Sequence, residues 1–510
     1  MKTYIKTNHL LPICGIALIH WLITFFTDKS IFVVSPTVNL SDYIICKVLL
    51  YVILYFFYRT LYRILFTKDK NNLPEYGVLR YSLVYLLPVL AILVIKLPQG
   101  FLSNDESLIF ESAINLQHYT WFYYITTYYY IICLMLIPSW IGPIIIKVII
   151  QLLVVGYAMY RLIRFLGVKY GKYGYLLFLM YPVIAYTTSA HRLPIYYLLY
   201  FILITTLLFD LLEHVSLTKT RAFWLLVLGS VLTQWRTEGI YLAVLIPILL
   251  FIVYSNIRTK KTSVIILLSS IVLQYVISIP QNGLVASEMS AAADDRMKPF
   301  YAYTITNMYR NGLDYQTNKE DLDIVDKYLS LETIDAINEY YGEINYEDVL
   351  ILYKEGFIGV RPEATVADFF NYANAMKHIC LNNLDVFFQT RWGAFCYAAQ
   401  PYKIVFEGLS LRSLISFGIS IVKTIAYNLF IPCIITLLLC IYTLIKKRWF
   451  TFFVTGGLIA HWFIVFVLAP ASYFKYYFPV YFTAYFYAFL LILQTIYNRN
   501  HVEKPIRLIV

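Results

Sequence analysis

The chain has 510 residues, of which 60% are apolar and only 14% charged, and its mean hydropathy is +0.66. That balance excludes a soluble globular protein. The formal net charge of +11 is not a nucleic-acid signal, because Lys and Arg gather at the ends of apolar runs, where they report orientation in a bilayer.

Apolar runs of about 17–22 residues recur along the chain, the length that crosses a membrane. The first, Leu10 to Phe26, follows Lys2 and Lys6 as a signal peptide would. It is long for one, and "TDKSIFVVSPT" behind it has no small-x-small cleavage pattern, so it is read as an uncleaved span. Further spans are expected near 43–65, 79–97, 143–163, 174–188, 194–212, 222–235, 240–256, 263–279, 426–445, 449–469 and 479–497. The fold class is therefore an all-α polytopic membrane protein with about 12 transmembrane helices.

With this set the basic clusters fall on one side: Lys2/Lys6, Arg59/Arg63/Lys68/Lys70, Arg161/Arg164/Lys169/Lys172, Lys219/Arg221, Arg258/Lys260/Lys261, Lys446/Lys447/Arg448 and Arg499/Lys504/Arg507. By the positive-inside rule that side is the cytoplasm, with both termini inside. The run His118 to Trp140 is long enough to cross, yet counting it would put every later cluster outside. It is expected instead as a helix lying at or dipping into the outer leaflet, which its Tyr and Trp content favours. A miscounted N-terminal span is the alternative.

Residues 281–423 form the one large hydrophilic piece and are expected as a mostly helical extracytoplasmic subdomain, since amphipathic spacing runs through "PEATVADFFNYANAMKHICLNNLDVFFQTRWGAF". The chain thus divides into extra N-terminal spans (1–78), a transmembrane core (79–280), this segment (281–423), and C-terminal spans with a cytoplasmic tail (424–510). Of seven cysteines, Cys380 and Cys396 fall in the polar segment and are the candidate pair for a bridge; the rest sit in apolar runs. No CxxC or HxxxH spacing points to a structural metal.

Ionisable residues gather at the outer mouth. Asp105 and Glu106 follow span three, His191 and Arg192 ("SAHRLP") sit between spans five and six, and Arg236 and Glu238 ("QWRTEG") between seven and eight. Lys475 and Tyr476 lie in "ASYFKYYFPVY" before the last span, and Asp294, Asp295 and Arg296 open the outer segment. Charges at a membrane boundary are costly unless paired or hydrated, so they are functional candidates. Each also has a plain reading. Ser103-x-x-Glu106 matches a capping box, Arg236 can pair with Glu238 or with headgroups, and Lys475 can snorkel among tyrosines.

As a set they have a chemical logic. A carboxylate takes the proton from an acceptor hydroxyl, while cations hold a lipid-linked phosphate whose leaving oxygen gains charge in the transition state. That describes a single-displacement, inverting glycosyl transfer. Neighbouring helical residues point about 100° apart, so Asp105 and Glu106 do not address one atom. Asp105 is read as the base and Glu106 as a cap or acceptor-binding group, with the roles exchangeable.

The order of features resembles the GT-C superfamily of integral-membrane glycosyltransferases, which includes protein O-mannosyltransferases and lipid A aminoarabinose transferases. The matching pieces are "NDES" at Asn104–Ser107, the run after His118, "SAHRLP", "QWRTEG" and "YFKYYFP". The resemblance implies a polyprenyl-phosphate monosaccharide as donor and a polysaccharide, teichoic acid, lipid-linked glycan or protein as acceptor. It departs from that pattern in placing two extra spans before the acidic loop and in lacking a Pro-Pro dipeptide in the interfacial run. The Ile-, Lys-, Asn- and Tyr-rich composition suggests an AT-rich bacterial genome, hence undecaprenyl as the lipid and the cytoplasmic membrane as the site, with chemistry on the extracytoplasmic side. An obligate divalent metal is not expected, because adjacent carboxylates make a poor two-ligand pair.

Other readings stay open. An O-antigen-type polymerase or ligase would rest its chemistry on outer arginines, here Arg310, Arg361 and Arg391. A transporter would need an internal repeat or a polar row through mid-span. A non-catalytic partner retaining the fold is a fourth.

Overall fold

The computed structural model describes residues 10–33, 40–67, 73–96, 104–117, 122–189, 191–289, 298–341, 346, 359–406, 408–469, 471–503 and 505–510. The described chain is helical, with one isolated antiparallel bridge, Leu329 to Val360. It is a multi-pass all-α membrane protein: among the described residues nine helical stretches are long and apolar enough to cross a bilayer. They are Leu10–Ile31, Leu40–Phe66, Pro74–Val94, Gly142–Leu166, Leu193–Leu212, Lys260–Gln281, Leu411–Ile445, Trp449–Leu468 and Phe474–Asn500.

Three of the expected spans differ. The run at 174–188 is not one helix but the short pieces Lys172–Gly174, Tyr175–Phe178 and Tyr181–Thr187. The cause is local: Met180 is extended (φ −57°, ψ 135°) ahead of Pro182, and Pro disfavours a continuous helix through the residues before it. Residues 222–235 lie in Lys219–Trp235, 17 residues long, and residues 240–256 divide into the end of a 3-10 turn at Thr237–Tyr241, the 12-residue helix Leu242–Val253 and the start of a 3-10 turn at Ser255–Ile257.

The chain forms two compact units. The first comprises Met1–Pro280, Thr443–Val454 and Tyr485–Val510; the second comprises Gln281–Tyr442 and Thr455–Ala484. The units divide at residue 281, and residues 443–510 are shared between them.

In the first unit the Pro74–Lys96 and Gly142–Leu166 helices approach closely at small residues. A Cβ on Gly156 would overlap Ser82 Oγ and the Val78 carbonyl, and the Ser82 hydroxyl donates to the Leu152 carbonyl at 2.8 Å. In a bilayer, where apolar contact with lipid costs nothing, such close backbone approach is what holds helices together. The Gly142–Leu166 helix ends at Gly167, whose φ of +79° an L-residue rarely adopts.

Two buried carboxylates of the first unit are ion-paired. Asp210, with no exposed surface, accepts from Arg161 at 3.2 Å, from Arg221 at 2.9 Å and from the Tyr254 hydroxyl at 2.5 Å. Lys47 pairs with Asp28 between the first two helices, and the Tyr43 hydroxyl donates to the same carboxylate at 2.5 Å.

In the second unit the amphipathic helices Lys319–Tyr328, Leu331–Tyr341 and Val366–Asn382 bury Leu322, Val325, Ile334, Ile337, Met376 and Ile379 in one core with the Lys298–Arg310 helix. Arg391 is buried there as well. It donates to the Ala469 carbonyl at 2.9 Å and to Thr304, and its guanidinium lies over the Phe300 ring at 4.8 Å. Burial pushes its pKa down to about 10. Cys380 and Cys396 carry free thiols, so the bridge between them is not formed.

Candidate functional site

The site begins with the Asn104–Ile114 helix, "NDESLIFESAI". Glu106, Ile109 and Ala113 recur at helical spacing and are all buried, so the carboxylate shares the inward stripe rather than facing solvent. Glu106 is only 2% exposed. Asp105 is in the same helix, but its side chain lies outside the described residues.

What holds Glu106 is the turn before the Leu193–Leu212 helix. Its Oε1 accepts the Arg192 backbone N–H at 3.2 Å and lies 3.5 Å from the guanidinium, while Oε2 is 3.3 Å from His191 Nδ1. Pro194 opens that helix with its φ already set, and an anion at a helix N-terminus is favoured by the aligned backbone dipoles. The carboxylate therefore caps a helix other than its own. Arg192 also stacks on Phe122, 3.9 Å from the ring centre. From the other side the Lys147 ammonium donates to the Tyr186 carbonyl at 3.2 Å and the His191 carbonyl at 3.4 Å.

The Tyr124–Leu136 helix backs this arrangement. At 13 residues it is about 20 Å long, shorter than the nine stretches long enough to cross by length and composition. It is not laid against lipid, however. Tyr124, Thr126, Thr127, Tyr128, Tyr130, Ile131, Cys133, Leu134 and Met135 are all buried, and the Tyr128 hydroxyl donates to Asp42 at 2.5 Å. Its tyrosines serve packing and hydrogen bonding, where the sequence alone suggested an interfacial belt. Tyr130 lies within electrostatic range of both Glu106 and Arg192.

Its neighbour Tyr129 packs edge-on against Trp235, 5.7 Å between ring centres, and leads to the second charged turn. There Arg236 is extended after the Lys219–Trp235 helix, and its Nε donates to Glu238 Oε1 at 2.6 Å. Gly239 is required here because a Cβ would overlap the Leu232 carbonyl. The Tyr123 hydroxyl reaches Thr237 at 3.3 Å. One helix thus carries Tyr130 near Glu106 and Arg192 and, beside it, Tyr129 against Trp235, the residue before Arg236.

No family model, curated protein or solved structure matches this chain.

Of the expected site residues, then, Glu106, His191 and Arg192 converge, and Arg236 and Glu238 form a local pair. Lys475 and Tyr476 belong to the second unit, where the Lys475 ammonium sits 4.6 Å from the Tyr473 ring centre and 5.9 Å from that of Tyr476. Asp294, Asp295 and Arg296 lie outside the described residues. Sequence reasoning missed Lys147, Phe122 and Tyr130. Lys147 left a usable signal, as a single cation inside an apolar run.

Proposed function

We propose that the chain is an inverting glycosyltransferase of GT-C type that moves a monosaccharide from polyprenyl phosphate to an extracytoplasmic acceptor. The accompanying topology has about 12 spans, both termini in the cytoplasm of a bacterium, and residues 281–423 outside. The observation that carries the reading is the meeting of Glu106, from the first outer loop, with His191 and Arg192, from a later turn, in a largely buried setting.

In this reading Glu106 is a positioning residue that fixes the His191–Arg192 turn. Asp105, on the adjacent helical position, takes the acceptor hydroxyl proton as the acceptor oxygen attacks the anomeric carbon. The bond from that carbon to the phosphate oxygen breaks on the opposite face, and its electron pair leaves with the phosphate. Arg192 and Arg236 stabilise the growing charge. The acceptor is a glycan, lipid or protein.

The polymerase or ligase reading is weaker, because its arginines are engaged in holding the second unit. Arg361 binds Asp326 through both carboxylate oxygens at 2.9 and 2.8 Å, Arg310 donates to Asn338, and Arg391 is buried. The test is release of polyprenyl phosphate by the purified protein in vesicles carrying a panel of polyprenyl-phosphate hexoses and pentoses. Turnover of one donor is expected, and turnover only of lipid diphosphate glycans would favour the second reading.

A further inference from the structure

The stretch Leu411–Ile445 is 35 apolar-rich residues. As one straight helix it would be about 52 Å long, against a hydrocarbon core of about 30 Å. The chain resolves the excess by breaking. A first helix, Leu411–Ala426, closes at Tyr427, and Asn428 Oδ1 accepts the Ile431 N–H at 3.3 Å as the second, Phe430–Ile445, begins. The first helix has no buried residue.

Its circumference divides into three faces. Leu411, Leu414, Ile415, Ile419, Val422 and Ile425 form one apolar arc, all exposed, with Ile425 at 66%. Ser420, Thr424 and Phe417 meet the preceding strap: Thr424 donates to the Tyr402 carbonyl at 3.2 Å, Ser420 accepts the Val405 N–H at 3.3 Å, and Phe417 packs on Phe406 at 5.3 Å. Between them Arg412, Ser416 and Lys423 form a polar stripe with two cations, and the helix contains no acid. The strap adds Ile404, Val405, Phe406 and Leu409 to the exposed apolar surface, and Leu409 is 84% exposed.

We infer that this helix lies along the membrane interface, its apolar arc at the acyl boundary and Arg412 and Lys423 on anionic lipid headgroups. Three observations choose lipid over a protein partner. Three residues join the helix to a membrane span, so its end is fixed at bilayer depth. The continuous apolar stretch of 35 residues, taken whole, exceeds what one crossing accommodates. Its cations lie together along one edge of the apolar arc, where headgroups lie for a helix buried about 5–10 Å into the boundary. The inference does not depend on the transferase reading.

The test uses the full chain in vesicles, with a fluorescent amino acid incorporated singly at the positions of Ile415, Ile419, Val422 or Ser416. The first three should be quenched about twice as strongly by lipids brominated near the headgroup as by lipids brominated near the chain terminus. The Ser416 position should be quenched by an aqueous quencher instead. Strongest quenching from the chain terminus would mean that the helix crosses, and no lipid quenching would mean that protein covers it; either overturns the inference. In the double variant Arg412→Glu, Lys423→Glu, adding phosphatidylglycerol to phosphatidylcholine should no longer increase quenching by headgroup-brominated lipid. An unchanged increase overturns the headgroup assignment.

Discussion

The Glu106 carboxylate accepts the Arg192 backbone N–H at 3.2 Å across 86 residues of sequence. This bond joins the Asn104–Ile114 helix to the N-terminus of the Leu193–Leu212 helix, so the acid and the turn that carries the cation hold one another in place.

Truncation of Glu106 should therefore cost stability. Glu106→Ala leaves a buried N–H and a guanidinium short of an acceptor, a loss of about 1–3 kcal/mol. Glu106→Gln keeps a carbonyl acceptor and should recover part of it. Thermal unfolding in detergent measures both, and wild-type stability in the alanine variant would show that the bond contributes nothing.

Asp210 is a stronger case, because two arginines and a tyrosine converge on it and it has no exposed surface. Breaking a buried ion pair by removing one partner costs about 3–5 kcal/mol. Asp210→Asn should lower the unfolding midpoint more than Glu106→Gln does; the reverse order would mean that the arginines find other acceptors.

Much of this fold was legible in the sequence, and the failures have causes. Long spans such as Gly142–Leu166 announce themselves because apolar length alone decides insertion. The 174–188 run looked equally apolar, but hydropathy is blind to the extended Met180 ahead of Pro182. At the site, Arg236 and Glu238 were foreseeable as a local pair two residues apart. The Glu106–Arg192 bond was not, since the sequence places both at outer-loop ends without saying which loops touch. Lys147 was legible as a single cation inside an apolar run, but its carbonyl partners, Tyr186 and His191, were not.

Helix packing gives a third test. Gly156→Ala places a methyl against Ser82 and the Val78 backbone, so the two helices must move apart, at about 1–3 kcal/mol. Gly15→Ala, with no atom nearby, is the control and should be neutral or stabilising. Equal effects on unfolding would remove the close-approach argument.

Acid should loosen one helix start in the second unit. Thr365 and Asp368 form a capping box, and hydrogen bonds from the Thr365 hydroxyl and backbone N–H hold the Asp368 carboxyl below its ordinary 3.8. Because the folded-state pKa is depressed, the contribution is present above 3.8 and disappears as the pH falls through the folded value. Amide exchange over the first turn of Val366–Asn382 should rise in that window beyond its intrinsic pH dependence. Asp368→Asn should abolish the excess; its persistence would assign it to another group.

The central claim is that the outer-mouth acid pair drives sugar transfer from a polyprenyl-phosphate donor, with Asp105 as base. The direct measurement is donor turnover by Asp105→Asn in vesicles, alongside its unfolding midpoint. The expected result is a fall of about a hundredfold or more with the midpoint unchanged. Wild-type turnover in a folded Asp105→Asn protein would contradict it.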